Sequence, residues 1–479
     1  MIEPHRLPPH LDRSALQAEG EPVKTRRPSD WYGNLSAIVV GRSNLLDLWP
    51  EHAYRVQTMS FKMVNQPYFL CNSPDSVRQV FLDKHDQYDR KSPQMRRALE
   101  PLLGDGLFVS DGALWKERRA YCAPAFESEL LPDFASVMTE AAHELAEHWA
   151  ALPAGAEVDV LNEMARLTAR IIGRTIFGDD TGDDDAAQVV QGFSEYQKSI
   201  EQMRIAESFG LPSMGWLSNP LQHWRTRDSS IKVHEVIDRI IERQRANPPN
   251  GRFTLMSMFL EGKGAAAGGC PLGATAARNE AIVMFMAGHE TTANTLAWAW
   301  YLLDRSPRVR EALQHELDTV LQGRAPTLDD VPRLPYVRAV FEETLRLYPP
   351  VPVLSRQARS EDTIRGKPVA KDSIMLVVPW LLHRHTLYWE MPDHFIPERF
   401  MPGVPRPDKF IYVPFSVGHR VCLGLRFGLT EGILCLATLA QRFEVRIAPQ
   451  HTVDIDCRLT LRPKGGLPVR LIPRAPCAG

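Results

Sequence analysis

Charge of one sign is what this sequence lacks most plainly: 56 Lys and Arg offset 58 Asp and Glu, leaving a formal net charge of −2. No basic excess is available to hold nucleic acid or an anionic membrane surface, so neither is expected as a partner. Cysteine is scarce, and the seven residues at 71, 122, 270, 422, 435, 457 and 477 show no short paired spacing. That argues against a disulfide framework or a zinc site and for a reducing compartment. Residues 1–28 are polar and proline-bearing, with no apolar core of signal-peptide or membrane-span length. No membrane anchor is therefore expected, and the cytoplasm is the expected location. Internal repeats are absent as well. What is left is an ordinary globular composition, 44% hydrophobic and 24% charged, over 479 residues, enough for two or three ordinary domains or one large one.

One stretch stands out against that background. Residues 415–424 read Phe-Ser-Val-Gly-His-Arg-Val-Cys-Leu-Gly. Cys422 lies between Gly418 and Gly424, with Phe415 at the head of the stretch and Arg420 two residues before the sulfur. A largely apolar segment over 425–443 follows and reads as a helix. The cysteine thus precedes a helix N-terminus, where the dipole and free N–H groups favour a thiolate. The glycines admit turns and the close approach of a flat ligand. A lone cysteine ahead of a helix is ordinarily a small buried hydrophobe. Five specified residues at fixed offsets are another matter, since average residue usage yields them in about one chain of this length in ten thousand. Thiolate sulfur is also one of the few protein ligands for haem iron.

A second stretch lies earlier. Residues 279–303 form a long apolar segment, expected as a helix through the centre of the fold, and it contains Ala287-Gly288-His289-Glu290-Thr291-Thr292. An acid and two threonines in a buried helix are costly unless paired or wetted. A glycine with a threonine three residues on opens the ladder to water; hydroxyls bonded back to carbonyls are the plain alternative. Trp115 and Arg119, four apart, share a face of a predicted helix. Glu343 and Arg346 stand three apart on a helix predicted over 336–347, a spacing that a chain this long contains about once by chance. Strands are expected over 54–61 and 66–72, and Ser73-Pro74 starts a helix to 82. Further helices are expected over 131–151, 161–177, 188–208 and 221–245, with strands over 157–160, 444–447 and 459–472. Residues 1–31 read as an irregular arm, 84–110 and 179–185 as loops, and 262–273 as a small-residue linker.

The stretch around Cys422 resembles the haem-ligand loop of the cytochrome P450 family, Phe-x-x-Gly-x-Arg-x-Cys-x-Gly, and matches it at every specified position. Residues 287–292 resemble that family's oxygen-activation motif. The resemblance runs from about residue 54 to 472. It implies a mainly α fold with small β-sheets (α+β), a triangular prism around a long central helix, as a single haem domain over 1–479 without a fused reductase. It implies haem b, non-covalent except for ligation of its iron by the Cys422 thiolate. Ala287 stands where one fatty-acid-hydroxylating branch has a glutamate that esterifies the haem, so no further covalent link is expected.

By the same resemblance, Phe415, Gly418 and Gly424 shape the loop, while Trp115, Arg119, Arg356 and Arg420 hold the haem propionates. Ala287 and Gly288 form the groove above the ring. Thr291 would hold activated oxygen and its waters, and Glu290 would relay protons from solvent. Glu343 and Arg346 would join Arg399, in Pro397-Glu398-Arg399-Phe400, as a buried structural network. Substrate would meet Leu107, Phe108, Val283, Met284, Ala287, Val351, Val353, Leu354 and Leu461, with Leu102, Leu103 and Val109 as further candidates and, at 209–220, either a lid or a membrane-touching patch.

The implied activity is insertion of one atom of O2 into an apolar small-molecule substrate by a monomer. Electrons would come from a ferredoxin- or flavodoxin-type donor with its reductase, docking near Arg420, Arg426 and His419, although Arg420 turned inward to a propionate is the other option. Two alternatives stand beside it. One is a haem-thiolate isomerase, dehydratase or peroxide-using member, against which the Glu290–Thr291 pair argues. The other is a non-catalytic haem sensor, which needs no proton relay. Fatty acids, terpenoids, alkanes and small aromatics all suit an apolar pocket.

Overall fold

The computed structural model describes residues 4–29, 44–63, 65–153, 155–178, 188–189, 191–193, 195–196, 220–246, 254–261, 273–457 and 459–474. The lid expectation over 209–220 falls outside them except for Pro220, as do the expectations over 179–185, most of 188–208 and 262–272.

Strands Thr58–Met63 (β1) and Gln66–Cys71 (β2) pair antiparallel, with Thr58 opposite Cys71. Ser73 and Ser76 form a capping box on a helix over Pro74–Arg78, which widens into a π turn over Gln79–Asp83. A helix over Pro93–Leu103 (α1) occupies part of the span expected to be loop. Its start signals are present: the Ser92 hydroxyl accepts from the Met95 N–H, and Pro93 takes the first helical position, where its missing N–H costs nothing. The helix aims Leu102 and Leu103 into the core, where both are fully buried, so neither lines an open space.

Gly112–Cys122 (α2), Leu131–Ala150 (α3), strand Glu157–Asp159 (β3), Val160–Phe177 (α4) and Pro220–Ala246 (α5) follow. Ala274–Arg305 (α6) is the axis of the molecule, 32 residues, or about 48 Å at 1.5 Å per residue. It has no polar face because it needs none: helix α4 lies along it, with Pro335–Leu347 (α7) and the later elements Leu425–Ala440 (α8) and Leu461–Pro463 also against it. Leu354–Gln357 (β4) and Ile374–Val377 (β5) complete a four-stranded sheet in the order β1-β2-β5-β4, in which only β2 and β5 run parallel. After α8 come Phe443–Ile447 (β6), Ile455–Cys457 (β7), Leu461–Pro463 (β8) and Pro468–Pro473 (β9). The single strand expected over 459–472 is thus two, β8 and β9. Gly465 and Gly466 separate them at φ +75° and +95°, a backbone that no strand adopts.

The amino-terminal arm is not irregular. Asp12 caps a short helix over Arg13–Ala18, and Leu7 and Leu16 pack on Ile396. Arg27 forks onto Asp393 at 2.6 and 2.8 Å, which ties the arm to a segment more than 360 positions away. Pairings that distant leave no local pattern. Among the described residues, no helix is long and apolar enough to cross a membrane.

Candidate active site

The Cys422 loop is built by backbone geometry. The Cys422 N–H donates to Phe415 O at 2.9 Å, and Ser416 N–H to Val413 O at 3.0 Å, closing the loop on itself. Gly418 has φ +75°, and a Cβ there would lie 1.9 Å from Phe81 O, so no other residue fits. Cys422 keeps accessible surface although protein atoms surround it closely. Burial pushes the thiol up, against the smaller opposing pulls of the Gly424 N–H and Arg119. The helix-end argument for a thiolate is therefore outweighed here by desolvation. A bound cation would reverse that balance, since a metal-coordinating thiol is deprotonated outright.

Beside the loop, four cations converge. Arg119 donates to Val421 O at 2.6 Å, and Arg420 donates to Ser110 O at 2.9 Å with its guanidinium 4.4 Å above the Trp115 ring. Arg420 is therefore turned inward and is not part of an outer basic face. Arg356, on β4, is buried over the Phe81 ring, and Lys91 is buried over the Phe108 ring at 4.5 Å. Burial and mutual repulsion push Arg356 down to about 9 and Arg420 to about 10, and hold Lys91 well below its usual range. Among the described residues none of the four forms an ion pair. The acids within range, Asp89 and Asp111, are committed to Arg359 and Arg96. Buried cations without counter-charges are costly unless an anion joins them. The cluster fits the carboxylates of a haem. Lys91 carries no motif and was invisible to spacing arguments.

The middle of α6 also has accessible surface. Within its stretch 279–303, Ala287 is exposed and Gly288 and Thr291 are part-exposed while every other residue is buried, so an opening lies against this stretch. The Thr291 hydroxyl donates back to Ala287 O at 2.6 Å. A Cβ on Gly288 would come 2.8 Å from Ile172 Cδ1, so this glycine also seats α6 on α4. Glu290 points away from the opening: its carboxylate accepts from Thr460 at 2.6 Å and lies 4.0 Å from Arg462, which is partly exposed. Thr460 and Arg462 are unremarkable in sequence. Burial pushes His289 down to about 4, so it is neutral. Of the substrate candidates, Leu107, Phe108, Val351, Val353 and Leu354 are partly accessible. Val283, Met284 and Val109 are buried, and Leu461 is fully so, with its carbonyl accepting from the Trp298 indole.

Beneath the loop sits a dry charge network. Arg346 forks onto Glu343 at 2.7 Å through both Nε and Nη2, Arg399 Nε reaches the same carboxylate at 3.3 Å, and all three side chains are fully buried. The remaining donors of Arg346 meet the carbonyls of His383, Pro392 and His394. His383 then carries the network to the loop. Its Nδ1 lies 3.1 Å from Arg346 O, and its Nε2 accepts the Val413 N–H at 2.9 Å. Burial and Arg346 hold its pKa near 3, which keeps it in the neutral form these two bonds require. His383 was not among the residues singled out in sequence.

Comparison with known proteins follows the same lines. The family model described as Cytochrome P450 matches residues 31–468. Cyclooctatin synthase of Streptomyces melanosporofaciens is 32% identical over 91% of this chain and 92% of its own. Cyclooctat-9-en-7-ol 5-monooxygenase of the same organism is 29% identical over 81% and 82%. The crystal structure of the cytochrome P450DA heme domain superposes with a TM-score of 0.77 at 25% identity, over 88% of this chain and 90% of that one.

Proposed function

The chain belongs to the cytochrome P450 family and is a P450 monooxygenase, and from that premise we propose that it oxidises an apolar small molecule at a haem b ligated by the Cys422 thiolate. The observation that carries the reading is the pairing of an accessible Cys422 sulfur with four neighbouring cations, Lys91 and Arg356 buried and Arg119 and Arg420 part-buried, none of which forms an ion pair among the described residues. When bound, the haem supplies the activation of O2. Cys422 Sγ would hold the iron, and the Gly424 N–H and Arg119 would moderate the sulfur's charge. Arg119, Arg356, Arg420 and Lys91 would hold the two ring carboxylates, with Trp115 as the platform for Arg420.

On α6, the part-exposed Thr291 Oγ1–H rests on Ala287 O and would be the proton offered to the open space. Glu290, its neighbour in chain, accepts from Thr460 and lies 4.0 Å from the partly exposed Arg462, whose charge would keep the carboxylate ionised near solvent as the acid–base group that resupplies the proton. Leu107, Phe108, Val351, Val353 and Leu354 orient the substrate and exclude water.

Electrons come from a separate ferredoxin- or flavodoxin-type donor. The face near the loop offers exposed His419, stacked on His85 at 3.6 Å between ring centroids, and Arg426. The relative named for cyclooctat-9-en-7-ol makes that compound a first substrate to screen, beside fatty acids, terpenoids and alkanes. The test is the absorbance spectrum of the reduced protein under carbon monoxide. A thiolate-type band supports the reading, and a histidine-type band or no haem absorbance overturns it.

A further inference from the structure

The segment after α1 is pressed onto α6 more tightly than a surface loop requires. Gly104 has φ +56°, and a Cβ there would lie 2.3 Å from Asn279 Nδ2; one on Gly106 would lie 2.8 Å from Val283 Cγ2. Between them Asp105 accepts from Asn279 Nδ2 at 2.9 Å and from Arg118 at 3.0 Å. The Leu107 N–H then donates to both oxygens of Glu280, each at 3.1 Å. Glu280 is fully buried on α6, with Arg118 Nε 3.7 Å away and the Cys122 thiol beside it. The next residue, Phe108, lies under Lys91, so one end of this segment is tied to the cation cluster and the other to α6.

Burial pushes Glu280 up to about 7, against the pulls of the Leu107 N–H, Arg118 and Cys122, while Asp105 adds to the rise. The buried acid thus joins the Leu107 amide to Arg118 and the Cys122 thiol, and an apolar residue in its place would leave that amide without its buried acceptor. We propose that Glu280 is a positioning residue for substrate selectivity: by holding the Leu107 N–H it fixes where Leu107 and Phe108 stand above the substrate space. This rests on the reading of those two residues as substrate contacts.

The test uses the haem-loaded protein, two iron-binding probes that differ in their tails, phenylimidazole and dodecylimidazole, and amide hydrogen exchange at Leu107. Glu280→Ala should speed exchange at Leu107 by about tenfold, the equivalent of one lost buried hydrogen bond. It should also change the ratio of the two probes' dissociation constants severalfold, with the carbon monoxide spectrum intact. Glu280→Gln, which keeps an oxygen acceptor and the volume, should restore most of both. In a Phe108→Ala background the effect of Glu280→Ala on the ratio should vanish. Unchanged exchange and an unchanged ratio in Glu280→Ala overturn the proposal, as does an equal loss for both probes in Glu280→Gln, which marks general damage. Should Leu107→Ala and Phe108→Ala leave both probes unaffected, the pocket assignment fails and the selectivity claim with it. If those two shift the ratio and Glu280→Ala does not, the Glu280 claim fails alone.

Discussion

The surroundings of the Cys422 sulfur and the middle of α6 are built on opposite terms. On the sulfur side, Glu343, Arg346 and Arg399 are fully buried and tied to one another, with His383 passing that order to Val413 and so to the Cys422 loop. On the α6 side, the hydroxyl of Thr291 has one backbone partner and an open flank, and the segment carrying Leu107 and Phe108 is half-exposed. The lesson is a division of labour. On the proposed reading, the sulfur that would ligate iron is held by a network that tolerates no loss, whereas the groups proposed to handle protons and substrate keep spare bonding capacity.

Breaking the sulfur side should cost most. Cys422→Ala is expected to abolish product formation altogether, with no thiolate-type band in the reduced carbon monoxide spectrum. Glu343→Ala leaves two buried arginines without their carboxylate and should cost about 3–5 kcal/mol. Urea denaturation and haem content after purification check it; full haem retention with unchanged stability would erase the contrast between the two sides.

The α6 side should break differently. Thr291→Ala should leave stability within about 1 kcal/mol of the parent while product per electron pair consumed falls at least about tenfold. Peroxide release measured alongside reductant consumption checks it, and tight coupling in that variant would remove Thr291 from the proton route.

The last effect, small at any one step of pH, sharpens the contrast by pH. Glu431 on α8 is fully buried, and neither carboxyl oxygen makes a well-formed hydrogen bond, although Thr292 is near enough to lower its pKa slightly. Burial pushes it from 4.5 up to about 8. Between those values the folded chain holds a proton that the unfolded chain releases, so its contribution is full below about 4.5 and is lost as pH rises toward about 8. The loss amounts to at most about 1.4 kcal/mol per pH unit. Glu431→Gln should flatten that slope, read from denaturation midpoints at a series of pH values.

Much of this was legible before any coordinates. The Cys422 loop, the 287–292 stretch, Trp115 with Arg119, and Glu343 with Arg346 and Arg399 are fixed-offset patterns, and local spacing is what a sequence displays. Lys91, His383 and Glu280 were missed because each acts as a single residue whose partner lies far along the chain. Helix α1 was missed although Ser92-Pro93 announced it, since the charged run around it reads as solvated loop. The thiolate argument from the helix end was sound locally and lost to desolvation, a quantity set by tertiary packing alone.

The crowd of positive charge around Lys91, Arg119, Arg356 and Arg420 has a bearing on how the protein is born. On the proposed reading a dianion among them would relieve their mutual repulsion, so capture of the cofactor is expected to tighten the walls they belong to, and protein made without haem should be cut faster by a protease than the loaded form.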